Sequence, residues 1–132
     1  MAFTDGRGKV HFVQGNATTA EVNAGKIIAE GRENKKICVV GGHLTALGGN
    51  AATATSVDIK DTGTPTVAVA CAVAGLTDGT QLDFDAAANV TRTTYRKPLA
   101  EDKSLQILKT GSNLATATSV DYYVEYVYID AT

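Results

Sequence analysis

Two histidines, His11 and His43, and two close pairs of aspartates, Asp58 with Asp61 and Asp83 with Asp85, are the side chains of this chain best suited to chemistry. A metal site on a β scaffold draws several His and a Glu from neighbouring strands. Two histidines far apart in sequence do not supply that set. His43 follows Gly41-Gly42 and reads as a strand-edge or interface residue. General acid–base work needs one carboxylate of a pair in a dry pocket with a raised pKa. On a strand, Asp83 and Asp85 would share a face. A calcium site would need more oxygen ligands in one loop. Both pairs read instead as solvated acids at strand ends. No Gly-x-Ser-x-Gly element, Walker loop or dinucleotide fingerprint occurs. Cys38 and Cys71 sit in apolar runs without a Cys-x-x-Cys partner, so they read as buried, reduced thiols rather than redox or zinc ligands. The expectation is a chain that binds rather than turns over, with no catalytic residue, metal or cofactor.

The segments that would position these residues are short strands. Gly25 to Glu30 begins the body. Ile37-Cys38-Val39-Val40 follows, and His43 to Leu47 continues it after a glycine bulge at Gly41-Gly42. Val67, Val69, Cys71 and Val73 alternate with Ala68, Ala70, Ala72 and Ala74. Alanine favours helix, but the period of two between Pro65 and Gly75 decides for a strand. Gln81 to Asp85 is a short strand, and residues 86–95 hold a short helix or an excursion. Ser104 to Lys109 is a strand, with a turn at Thr110 to Asn113. On the last strand Val120, Tyr122, Val124, Tyr126 and Tyr128 share the core face, and the opposite face turns apolar toward Ile129.

One device occurs twice. Ala-Thr-Ala-Thr-Ser-Val-Asp stands at 52–58 and again 63 residues on, at 115–121, each copy preceded by a glycine (Gly48, Gly111) and an asparagine (Asn50, Asn113). A small, β-branched stretch after a Gly/Asn turn reads as a loop rising into a strand. The two copies are expected to play equivalent turn-to-strand roles.

At 132 residues the chain reads as an N-terminal arm, 1–20, and one β-sandwich domain, 21–132. The arm carries Phe3, His11 and Phe12 among glycines. It is expected to pair with its own sheet or with a neighbour's, and deletion of residues 2–15 to leave a folded domain. The formal net charge is −2, which gives no electrostatic case for nucleic acid. No apolar run approaches a membrane helix, and the first eight residues do not read as a signal peptide, so synthesis and use without export are expected. Tyr95-Arg96-Lys97 is a local basic and aromatic segment. It could stack on a sugar or base, and it reads as a surface patch or a contact with another chain.

About eight strands with frequent turns imply a sandwich or barrel. The layout of Gly25-Lys26-Ile27-Ile28, Lys36-Ile37-Cys38-Val39-Val40, Leu105-Gln106-Ile107-Leu108 and Val124-Glu125-Tyr126-Val127-Tyr128-Ile129 resembles the compact jelly rolls of bacteriophage virion proteins, over about residues 20–130. That resemblance implies an all-β, jelly-roll-like sandwich made in the host cytoplasm. It implies a capsid decoration (cement) protein on the outer surface of the virion, with the major capsid protein as partner and a trimer as the assembly. Partner contacts would fall on Phe3, His11, Phe12, Tyr95 and Arg96. The alternative it implies is a receptor- or glycan-binding tip domain of a phage fibre, marked by an exposed aromatic and polar groove.

Overall fold

The computed structural model describes residues 9–63, 66–92 and 98–131. Among these, nine strands form two antiparallel sheets, and the chain is a β-sandwich. The strands are β1 (His11–Thr18), β2 (Lys26–Ala29), β3 (Lys35–Leu47), β4 (Ala51–Asp61), β5 (Val67–Ala72), β6 (Gln81–Asp83), β7 (Val90–Arg92), β8 (Leu105–Thr116) and β9 (Ser119–Asp130). One short helix, α1 (Thr19–Ala24), follows β1 directly. The front sheet has the order β1-β9-β3-β6 and the back sheet β2-β8-β4-β5-β7.

Alternation decides the core. Val120, Tyr122, Val124 and Tyr126 of β9 are buried, with Leu44 and Ala46 of β3 beside them. Val57 and Ile59 of β4, Val69 and Cys71 of β5, and Leu105 and Ile107 of β8 face them from the back sheet. Each large apolar side chain so buried contributes about 1.5–3 kcal/mol. The apolar end of the outer β9 face is covered as well. Val127 pairs with Cys38, which bridges to Pro98, and both are buried.

The strand pairs nest: β1 with β9, β2 with β8, β3 with β6 and β4 with β5. The chain is thus one antiparallel ribbon. Winding it into two layers adds the long pairs β3·β9 and β4·β8. The repeat lies where those pairs meet. In the front sheet Leu47, Ala46, Thr45, Leu44, His43 and Gly42 oppose Ser119, Val120, Asp121, Tyr122, Tyr123 and Val124. Moving each residue by the 63-residue offset turns these into Thr110, Lys109, Leu108, Ile107, Gln106 and Leu105 opposing Ser56, Val57, Asp58, Ile59, Lys60 and Asp61. Those are the observed back-sheet pairs. The copies themselves meet at Ala52 opposite Ala115. The centre of the sandwich therefore has internal two-fold pseudosymmetry.

The two copies share a local backbone but not a secondary-structure role. Thr53 and Thr116, the second residue of each copy, both have positive φ, at 75° and 72°. The first copy lies inside β4, which bulges on either side of Ala54. The second ends β8, turns at Ala117-Thr118 and begins β9. The expected equivalence of role is corrected accordingly: the same bend is absorbed by bulges in one copy and breaks the strand in the other. The turn expected at Thr110 to Asn113 is likewise part of β8, kinked at Gly111.

The N-terminal segment belongs in part to the body. β1 pairs with β9 in unbroken register from His11 to Thr18, and Ala17 is fully buried. Thr18 then caps α1 in a capping box: its hydroxyl accepts from Glu21 N, and Glu21 Oε1 accepts from Thr18 N. α1 seals the β8–β9 corner through Thr19 Oγ1, which donates to Ala117 O at 2.6 Å, and through paired bonds between Asn23 and Leu114. Of residues 86–95, Val90–Arg92 form β7 at an edge.

The pseudosymmetry generates a paired stability prediction. Gly48 (φ 77°) and Gly111 (φ 87°) are equivalent positions. A Cβ would lie 2.1 Å from Thr118 Oγ1 at the first and 2.6 Å from Thr55 Oγ1 at the second, and those threonines are equivalent too. Gly48→Ala and Gly111→Ala should each destabilise the protein by about 1–3 kcal/mol. Urea unfolding checks this. If one substitution is neutral while the other is severe, the two equivalent positions do not carry equivalent strain.

Candidate functional site

The outer face of the front sheet carries a grid of side chains set by strand pairing. Rungs on one face lie about 7 Å apart along the strands, and neighbours about 4.8 Å apart across them. One rung is Gln14, Tyr123, His43 and Asp83, from β1, β9, β3 and β6. The next is Asn16, Asp121, Thr45 and Gln81. On the other side Phe12 opposes Glu125. These residues surround a shallow cleft of ≈ 610 Å³ lined by Gln14, Asn16, His43, Thr45, Gln81 and Asp121, with Gly15, Tyr122 and Tyr123 completing its wall.

Aromatic contacts fix the middle of the cleft. His43 stacks on Tyr123 at 5.2 Å between ring centres, and Phe12 lies 5.8 Å from the same ring. Tyr123 donates its hydroxyl to Glu125 Oε2 at 2.8 Å, which, before any effect of burial, raises the phenol above its ordinary pKa. The hydrogen bond also fixes the ring's position. His43 Nδ1 is buried with no hydrogen-bond partner, so stacking holds this ring at a cost. Asn16 donates to Ser119 Oγ at 2.9 Å and to Asp121 Oδ1 at 2.8 Å, and Gln81 donates to Asp83 Oδ1 at 2.7 Å. Among the described residues no arginine or lysine lines the cleft.

The residues expected to meet a partner separate. Phe3, Tyr95 and Arg96 lie outside the described residues. Phe12 points outward and is 63% exposed. His11, one residue before it, points to the opposite face by the period of two. It stacks on Tyr126 at 5.5 Å and meets Tyr128 edge-on at 5.3 Å, beneath Arg32, which sits 4.0 Å over the Tyr128 ring. Desolvation first, then the charges of Arg32 and Lys9, lower the His11 pKa. His11 belongs to the end of the sandwich rather than to the outer surface that Phe12 presents.

The aspartates depart from the solvated reading for one pair. Asp58 and Asp61 are buried. Asp58 accepts from Ser56 Oγ at 2.6 Å and from Thr110 Oγ1, and Lys60 Nζ lies 3.4 Å away. Asp61 accepts from Gly63 N at 3.1 Å and Ala100 N at 3.2 Å. Both are saturated and structural, because a buried carboxylate persists only when its oxygens are satisfied. Asp83 and Asp85 are exposed, and Asp85 accepts from Arg92 at 2.8 Å. Among the described residues no three His, Cys, Asp or Glu are grouped to hold a metal ion, and no helix is long and apolar enough to cross a membrane. No protein family and no curated protein matches this sequence.

Both cysteines are buried and outside any disulfide. Burial first, then the Asp58 charge, pushes the Cys71 thiol up to about 12 from 9.0. Above pH 9 the unfolded thiol loses its proton while the native one keeps it. The native state then binds more protons, so stability falls as pH rises, until the folded pKa is passed. The slope from this group approaches about 1.4 kcal/mol per pH unit. Urea unfolding from about pH 9 to about pH 11 should show a shallower loss for Cys71→Ala than for the natural chain. Equal slopes would mean that Cys71 does not titrate differently in the two states.

Proposed function

We propose that this protein is a non-catalytic structural protein of a phage virion, a decoration protein that binds the outer capsid surface through its β1 edge. The single observation that carries the reading is that edge. β6 and β7 have three residues each and β2 four, so three of the four sheet edges are short. β1 has eight, runs without a bulge, contains no Lys or Pro, and pairs on one side only among the described residues. Such an edge offers unpaired N–H and C=O groups to another strand. Val10 and Phe12, 56% and 63% exposed, add apolar area beside it. The nested, wound ribbon supports reading the sandwich as a jelly roll and, with it, the resemblance to virion proteins. In this reading the chain assembles as a closed trimer against the major capsid protein, since closed symmetry matches a module to a symmetric shell.

A receptor-binding tip of a fibre is the second reading, and the exposed aromatic and polar cleft on the front sheet favours it.

The test is made on the β1 edge. Val10→Asp with Phe12→Asp should leave a folded β protein by circular dichroism. It should weaken self-association in sedimentation equilibrium, and binding to the phage's own heads, by at least about tenfold, or about 1.4 kcal/mol. Electron microscopy of virions with and without the protein should show density on the outer shell only in the first. A monomer whose head binding is unchanged by the double substitution would overturn the reading, and density confined to a fibre tip would favour the second.

A further inference from the structure

We infer that the front-sheet cleft is a binding site for a neutral saccharide. The inference concerns the cleft itself and holds whether the chain sits on a capsid or on a fibre. Three observations select the ligand class.

The first is the platform. Tyr123 stands at the centre of the grid, packed between His43 and Phe12, and the aromatic surface this row leaves open is chiefly that of Phe12, 63% exposed. An aromatic face, apolar but framed by polar groups, suits the C–H face of a sugar ring as it suits other amphipathic ligands. The Tyr123 hydroxyl is already committed to Glu125, so the ring is held without a ligand. A preorganised platform loses little entropy on binding.

The second is the set of polar groups around it. Gln14 and Thr45 make no side-chain hydrogen bond among the described residues; Gln14 sits on the platform rung and Thr45 on the next. An amide offers donors and an acceptor, and a hydroxyl offers both. The Asp121 carboxylate retains acceptor capacity beyond its single bond from Asn16. Sugar hydroxyls donate and accept in equal measure, and this mixture of partners answers them.

The third is charge. Asp121 lines the cleft, Asp83 and Glu125 flank it, and among the described residues no lysine or arginine lines it. Phosphorylated and sialylated ligands, and nucleic acid, would meet unbalanced negative charge. The volume of ≈ 610 Å³ lies within the range of small-ligand clefts, about 300–1,000 Å³. The cleft is broad and shallow across four strands, which suits an oligosaccharide lying along the sheet.

The test is an amide NMR titration of the full chain with maltotriose, cellotriose, N,N′-diacetylchitobiose and lactose, and with sialyllactose as the anionic comparison. At least one neutral sugar should shift the side-chain amides of Gln14, Asn16 and Gln81 and the backbone of Tyr123 in a saturable way. Sialyllactose should bind at least tenfold more weakly than that sugar. Tyr123→Ala should weaken binding at least tenfold. Thr45→Val, which removes one hydroxyl and leaves the strand intact, should weaken it several-fold. Both variants should keep the self-association of the natural chain, which separates this site from the β1 edge. The inference is overturned if no sugar shifts the cleft resonances at millimolar concentration, if the shifts fall elsewhere, if the anionic sugar binds equally well, or if both variants bind as the natural chain does.

Discussion

The sandwich depends on one constraint: each of its two long hairpins must leave one strand in each sheet. A hairpin whose strands stayed paired would remain in one layer. Here β3 and β4 part at Gly48-Gly49-Asn50, and β8 and β9 part at Ala117-Thr118, so β3 finds β9 and β4 finds β8. Backbone geometry enforces the parting. Positive φ at Gly48 and Gly49 turns the first corner, and Thr116 at 72° turns the second. Threonine is an uncomfortable residue there, and the close fit around the corner holds it. The corner bonds close the arrangement: Thr118 N donates to Leu47 O at 2.9 Å, tying the second corner to the end of β3. Once these exchanges are fixed, the remaining strands have little freedom. β1, β2, β5 and β6 add to the four edges that the exchanged strands offer, and β7 extends one of them.

The same symmetry explains why one sheet carries a site and the other does not. Ser56 and Asp58 are the equivalents of Ser119 and Asp121, and Lys60 is the equivalent of Tyr123. In the back sheet the Ser-x-Asp unit is buried and closed by Thr110 and Lys60. Its carboxylate is spent on structure, because leaving it unpaired would cost several kcal/mol. In the front sheet the unit stays at the surface. Asn16 of β1 braces it without covering it, and the Tyr123 ring takes the place of the lysine. Two copies of one motif thus meet different neighbours, and the more open environment leaves acceptor capacity for a ligand.

Strands with regular alternation were legible in the sequence. The Val and Tyr series of β9, the Val69 and Cys71 face of β5 and the glycine bulge within β3 follow from the period of two and from local turn chemistry. The helix was also written, in Thr18-Thr19-Ala20-Glu21, a capping box that the glycine-rich character of the N-terminal segment hid. The opposed faces of His11 and Phe12 follow from the same period. The burial of Asp58 and Asp61 was not legible, because partners that satisfy them, Thr110 and Ala100, lie far off in sequence. The cleft was less legible still. Its residues come from four strands, and only the pairing of β1 with β9, β9 with β3 and β3 with β6 brings Gln14, Tyr123, His43 and Asp83 onto one rung.

That shared rung also links the two surfaces of the front sheet. Among the described residues β1 pairs with β9 alone, yet it supplies Gln14, Gly15 and Asn16 to the cleft wall and its other side to a prospective partner strand. A strand held on one side keeps more freedom than one held on both, and its outward residues here are exposed. A partner strand that paired with the free edge would order β1 from its other side. The cleft would then lose less freedom in ordering Gln14 and Asn16 around a ligand. By thermodynamic linkage a ligand bound there would favour the added strand by the same factor. The sign of the coupling is set by architecture: both events order the same strand. Edge pairing and cleft binding on this sheet therefore reinforce one another rather than compete.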